Sequence, residues 1–122
     1  MDTVETAEEA DRQARVFWSI LRDSVARVAM NAQDQIRDPD VHECFMWEAG
    51  YPVLWRSEEA GWVSPELRSR LDALDHLLDQ LSDAPGAWTD EAIMLLPLWE
   101  EARRAALECL VLMPTAPWEV GT

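Results

Sequence analysis

Apolar residues recur along this chain at helical spacing, and the strict alternation of a half-buried strand is sustained nowhere. From about Thr6 to Ile36, the positions Ala10, Ala14, Phe17, Leu21, Val25, Val28, Ala32 and Ile36 fall at three- and four-residue steps. They trace one apolar stripe and predict a single long first helix. Glu5, Glu8 and Glu9 stand at its start, where the helix dipole favours anions. Asp38-Pro39-Asp40 ends it, because the residue before a proline avoids helical geometry. Asp40 suits the N-cap of a shorter second helix carrying Val41, Cys44, Phe45 and Trp47. Gly50-Tyr51-Pro52 is expected to break or kink that helix, and Val53 to Ala60 reads as a further short helical segment before Gly61.

A third helix is more sharply bounded. Ser64-Pro65 supplies an N-cap followed by proline at the first helical position. Leu67, Leu71, Leu74, Leu78 and Leu81 form its buried stripe, and 83–86 ends it. A fourth helix starts at Thr89 as N-cap, with Asp90 and Glu91 in its first turn. Pro97 removes a backbone donor and is expected to kink the helix or restart it before the run continues to about Leu112. The pattern predicts an all-α fold, an antiparallel helical bundle of about four helices, irregular or kinked near residues 50–62 and at Pro97. At 122 residues the chain reads as a single domain over 1–122. Its tail, 114–122, containing Trp118, is expected to fold back on the body or be partly ordered.

Composition sharpens this picture. With 48% apolar and 28% charged residues, the chain can build a core without disulfide or metal staples. Its charge is one-sided, at a formal −14, with every base an Arg. The excess is spread evenly, −7 over residues 1–61 and −7 over 62–122, as a folded acidic surface would give rather than an acidic tail. Such a field repels nucleic acid and anionic membranes and speeds encounter with basic proteins. The expected partner is therefore a basic protein, a toxin or nucleic-acid-binding enzyme, with no direct nucleic acid and no membrane. The same charge also serves simple solubility.

No apolar run approaches the ~20 residues of a membrane span. The opening MDTVETAEEADRQ lacks the basic and apolar regions of a secretory signal. Cys44 and Cys109 share no motif and read as reduced, buried thiols, so the expected location is cytoplasmic.

Two features stand out as candidate chemistry. On the third helix, Asp72, Asp75, Asp79 and Asp83 are spaced by three, four and four residues, which places them on one face, roughly opposite the leucines, with His76 beside the row. Like charges at these spacings destabilise a helix by a few tenths of a kcal/mol per pair, and Asp is a poor helix former. Glu would give the same solubility at less cost. Asp holds its charge close to the backbone, which suits recognition of a fixed array of Arg or Lys. The same face also reads as an ordinary solvated surface. The second feature is the seven tryptophans. Most are expected in the core, while Trp55, Trp62 and Trp88, near breaks or loops, are the candidates for partial exposure at an interface.

Catalytic and metal chemistry finds no pattern. His42, Glu43 and Cys44 are adjacent and would fan out around a helix, and the i,i+4 pairs His42–Met46 and Asp72–His76 supply too few ligands for zinc. There is no HExxH, CxxC, glycine-rich phosphate loop or EF-hand. The expectation is a non-enzyme with no catalytic residues, no metal and no cofactor. The leading functional expectation is an acidic protein-binding inhibitor, an immunity protein or antitoxin neutralising a basic bacterial toxin or nuclease. Its partner surface would comprise Asp72, Asp75, His76, Asp79, Asp83, Trp55, Trp62 and Trp88. The alternatives are a DNA mimic occupying a DNA-binding protein, or a ligand-binding or enzymatic bundle with a Trp/Met-lined pocket near Gly50-Tyr51-Pro52. A homodimer through exposed Trp is a further expectation.

Overall fold

A computed structural model describes residues 6–119, and every described element is helical. The long helices are α1 (Ala7–Val28), α5 (Pro65–Asp83) and α7 (Pro97–Val111). Shorter ones are α2 (Ala32–Arg37), α3 (Trp47–Gly50), α4 (Leu54–Glu59) and α6 (Asp90–Leu95), with 3-10 turns at Val41–Met46, Tyr51–Val53 and Pro117–Glu119. The all-α reading holds.

Helix α7 packs against both α5 and α1, α1 also carries α3 and α4, and α2 packs on α6. The Trp18 indole donates to the Pro114 carbonyl at 3.0 Å and Arg22 to that of Met113 at 2.7 Å. Arg103, in the first half of α7, reaches Gln35 beyond the end of α1 at 2.9 Å. These contacts fix α1 and α7 in opposite directions.

The single first helix expected over 6–36 is two. Ala29 caps α1, and the Asn31 side chain accepts from the Asp34 amide at 2.9 Å to start α2. Asn is among the best N-caps, and it turns the chain so that Ala32 and Ile36 still reach the core from a new direction. The regular helix expected after Asp40 is also absent: Asp40 makes no side-chain cap there. Cys44, Phe45 and Met46 instead adopt left-handed backbone, with φ of 52°, 54° and 65°. Each such residue costs about 1–2 kcal/mol. Tertiary packing offsets this: Phe45 is fully buried, edge-on to Trp99 and beneath the Arg27 guanidinium. Gly50-Tyr51-Pro52, expected as a break, continues the path as a 3-10 turn between α3 and α4.

Other signals read locally. Ser64 Oγ accepts from the Leu67 amide and Thr89 Oγ1 from the Ala92 amide, both at 3.1 Å. Pro97 restarts the chain: Leu96 is extended, and α7 begins with proline at its first position. The stripe Leu67, Leu71, Leu74, Leu78 and Leu81 is buried throughout.

The core joins Trp18, Trp47 and Trp99, all fully buried, to the leucines of α5 and the small residues Ala102 and Ala106 of α7. Gly50 fixes the approach of α3 to α1. A Cβ built there would lie 2.8 Å from Leu21 Cα and 3.0 Å from its N. Helix propensity alone makes Gly→Ala favourable by about 1 kcal/mol. Here the added methyl meets backbone that cannot yield, so Gly50→Ala is expected to destabilise by about 1–3 kcal/mol. The sign of the shift in the urea midpoint checks this.

Candidate functional site

The aspartate face of α5 divides into two halves. Asp72 accepts from the Tyr51 hydroxyl at 2.5 Å and from Arg68 Nε at 3.0 Å. Asp75, half-buried, accepts from the Trp47 indole at 2.9 Å. Trp47 and Tyr51 stack with centroids 5.1 Å apart and an interplanar angle of 15°. This is the i,i+4 arrangement that the turn from α3 into Tyr51–Val53 preserves. Burial, and then the bond to Asp72, push the tyrosine hydroxyl's ionisation up, so it remains a donor. Further along α5, Asp79 and Asp83 are exposed and make no side-chain hydrogen bond or ion pair among the described residues, and His76 is exposed between them and Asp72.

The donors differ in electrical effect. Arg68 neutralises Asp72 and also pairs with Glu58. The indole of Trp47 is neutral, so it orients the Asp75 carboxylate and leaves its charge in place. Asp75, Asp79 and Glu48 all act on the Cys44 thiol, whose ionisation is pushed up to about 12, first by burial and then by these carboxylates. Glu48 of α3 and Asp75 and Asp79 of α5 therefore lie close enough to the Cys44 thiol to oppose its ionisation. Burial likewise pushes Cys109 up to about 12. Neither sulfur is a thiolate at neutral pH, the form that nucleophilic chemistry needs.

Elsewhere some of the acids are paired. Arg15 holds Asp11, Arg70 bridges Glu66 and Glu108, Arg104 lies by Glu100, and Arg27 gathers Asp23, Asp38 and Asp40. Glu8, Glu9, Glu43, Glu48, Asp90, Glu91 and Glu101 are exposed and have no ion pair among the described residues, so uncompensated charge lies on several elements, the second half of α5 among them.

The candidate tryptophans separate. Trp55 is 46% exposed, with the Arg56 guanidinium 4.3 Å from its ring centre. Trp62 is half-buried, edge-on to Trp18 and against Trp118. Trp88 donates to the Leu81 carbonyl at 3.0 Å and packs edge-on to Trp99. Trp62 and Trp88 are thus partly exposed while packing on the core, and Trp55 is the most exposed of the three. Residues 120–122 of the expected tail and Glu5 lie outside the described residues.

Sequence reasoning passed over Trp47, Tyr51 and Glu48, although the i,i+4 aromatic pair was a usable signal. It had no means of finding Met46, whose exposure follows from the left-handed turn.

Surface depressions of about 300–400 Å³ lie between α5 and α7, between α1 and the turn into α3, between α1 and α4, and at the α6–α7 joint; none of these four is lined by tryptophan. Among the described residues, no three His, Cys, Asp or Glu side chains converge as a metal site requires, and no helix is long and apolar enough to cross a membrane. No family model, curated protein or solved structure matches the chain.

Proposed function

We propose that this chain is a non-catalytic acidic inhibitor, of the immunity-protein or antitoxin kind, that docks a basic protein such as a toxin or nuclease on the α5 carboxylate face. The observation that carries the reading is the row of aspartates along one face of α5. Asp79 and Asp83 have no ion pair among the described residues, and Asp75 is oriented by a neutral donor, so the row keeps net negative charge with one carboxylate at a fixed position. A preoriented, uncompensated cluster raises encounter rates and fixes register with a cationic surface. The row runs along one helix, which suits docking of one basic surface, whereas DNA mimicry calls for carboxylate rows continuing across helices at phosphate-like spacing.

The test is affinity capture from the host-cell lysate at about 50 mM and about 500 mM salt, where screening lengths differ several-fold. Wild-type protein is expected to retain one stoichiometric basic protein at low salt and lose most of it at high salt. The double variant Asp79→Asn/Asp83→Asn is expected to lose it at low salt, while Glu8→Gln/Glu9→Gln keeps it. The α5 variant should also be slightly more stable than wild type. Like-charge repulsion of a few tenths of a kcal/mol per pair disappears, as does negative charge at the negative end of the dipole. Equal retention by both double variants, or no basic protein at all, contradicts the reading.

A further inference from the structure

The core run that continues α7 stops sharply at Met113, which is only 1% exposed. None of the residues 114–119 that follow is buried. They run along α1 toward its start: the Pro114 carbonyl meets Trp18, and Trp118 lies beside Arg15. Pro114 and Pro117 have no amide hydrogen to donate. They also restrict the undocked segment, so docking it costs less conformational entropy. The Glu119 amide closes a 3-10 turn on the Ala116 carbonyl at 3.0 Å, and this turn carries Trp118.

Trp118 is the anchor of the segment. Its ring centre lies 5.5 Å from that of Trp62 at an interplanar angle of 57°, and the Arg15 guanidinium stands 5.3 Å from it. Trp62 in turn meets Trp18 edge-on at 6.1 Å. Half-buried ring contacts and a solvent-exposed cation over a ring are individually weak beside the burial of a whole core side chain. A segment held this way belongs to the low-stability end of a fold. The bond from Arg22 to the Met113 carbonyl lies on the core side of the boundary, so α7 stays docked on α1 when the segment leaves.

We propose that residues 114–119 form a latch that opens as a unit while the rest of the fold stays closed, with Trp118 and Arg15 setting how often it does. Opening breaks the bond between the Trp18 indole and Pro114 and uncovers the side of Trp62 that Trp118 occupies. Here the structure itself shows what covers the aromatic surface: a segment of the same chain. The latch gives this end of the molecule two surfaces, one closed by Trp118 and one presenting Trp62. It involves α1 and the link before α5, and is independent of docking on the α5 carboxylates.

Two indole protons make an internal comparison. Trp18 and Trp99 are both fully buried, and each donates to a main-chain carbonyl, of Pro114 in the latch and of Ala87 in the core. Hydrogen exchange of the isotope-labelled full chain, read by NMR, is expected to be about a hundredfold faster at the Trp18 indole than at Trp99. The Trp18 rate should stay nearly level up to about 1 M urea, while the Trp99 rate climbs steeply, because local opening exposes little surface and global unfolding exposes much. Trp118→Ala should speed Trp18 exchange about tenfold and Arg15→Gln about threefold. Ile93→Val loosens the core at α6, away from the latch. It should speed exchange at Trp99 by about fivefold and leave Trp18 unchanged. Equal rates and urea slopes at the two indoles, a Trp18 rate that either latch variant leaves unchanged, or one that Ile93→Val raises as much as that of Trp99, overturns the proposal.

Discussion

Trp99→Ala is expected to destabilise the protein by about 3–5 kcal/mol, a large part of what a domain of this size possesses. Trp99 is fully buried, and it meets Phe45 and Trp88 edge-on at centroid distances of 6.3 and 5.1 Å. Its indole donates to the Ala87 carbonyl at 2.6 Å. One side chain thereby joins α7, the left-handed turn and the link between α5 and α6. Truncation leaves a cavity at this junction and removes the burial that holds Phe45 in its unfavourable backbone. Trp99→Phe keeps most of the packing but leaves the Ala87 carbonyl without its donor, and should cost about 1–3 kcal/mol. Urea unfolding followed by circular dichroism measures both. A loss below about 1 kcal/mol for the alanine variant would contradict the assigned role.

Arg27→Met should cost about 3–5 kcal/mol, because it strips the partner from a buried carboxylate. The Asp38 side chain is only 6% exposed. Arg27 Nε donates to it at 2.8 Å, Arg27 Nη2 donates to both Asp38 and Asp40, and the Asp40 amide adds 2.8 Å from the backbone. Burial opposes ionisation of Asp38, yet Arg27 and that amide hold its carboxyl below the usual range. With the folded value depressed, its contribution is present above the unfolded value of about 3.9 and disappears as pH falls through the lower folded value. Wild-type stability should therefore be level from neutral pH to about 5 in this respect and fall below about 4. In Arg27→Met the guanidinium no longer holds the folded value down and burial raises it, so Asp38 should cost the variant less stability on acidification than it costs wild type, and the gap between the two proteins should narrow as pH falls. Thermal unfolding across pH reads the difference, and a gap that stays constant on acidification would contradict it.

The helices were legible where local chemistry and burial agree. Ser64-Pro65, Thr89 and the leucines of α5 each carry their own signal, so their positions follow from a few neighbouring residues. The chain between Asn31 and Val53 was illegible for a definite reason. Its apolar spacing suits a helix, but Asn31 ends one stripe and starts another, and the 44–46 backbone is set by contacts of Phe45 with α7 and Arg27, distant in sequence. The aspartate face was readable as a face. Its division was not, because Trp47 and Tyr51 reach Asp75 and Asp72 only through the fold of 41–53. Trp62 and Trp88 sit near chain breaks, as exposed residues often do, yet the breaks fold them onto Trp18 and Trp99.

Function and stability pull apart at the same surface. Asp79 and Asp83 repel each other near the carbonyl end of α5, so neutral replacements there should stabilise the fold while weakening recognition. The most direct measurement is amide chemical-shift mapping of the isotope-labelled protein with the basic protein recovered at low salt. Shifts are expected to concentrate in residues 72–83 and to fade as salt rises. Shifts centred instead on the exposed Leu107 and Val111 of α7, unaffected by salt, would contradict it.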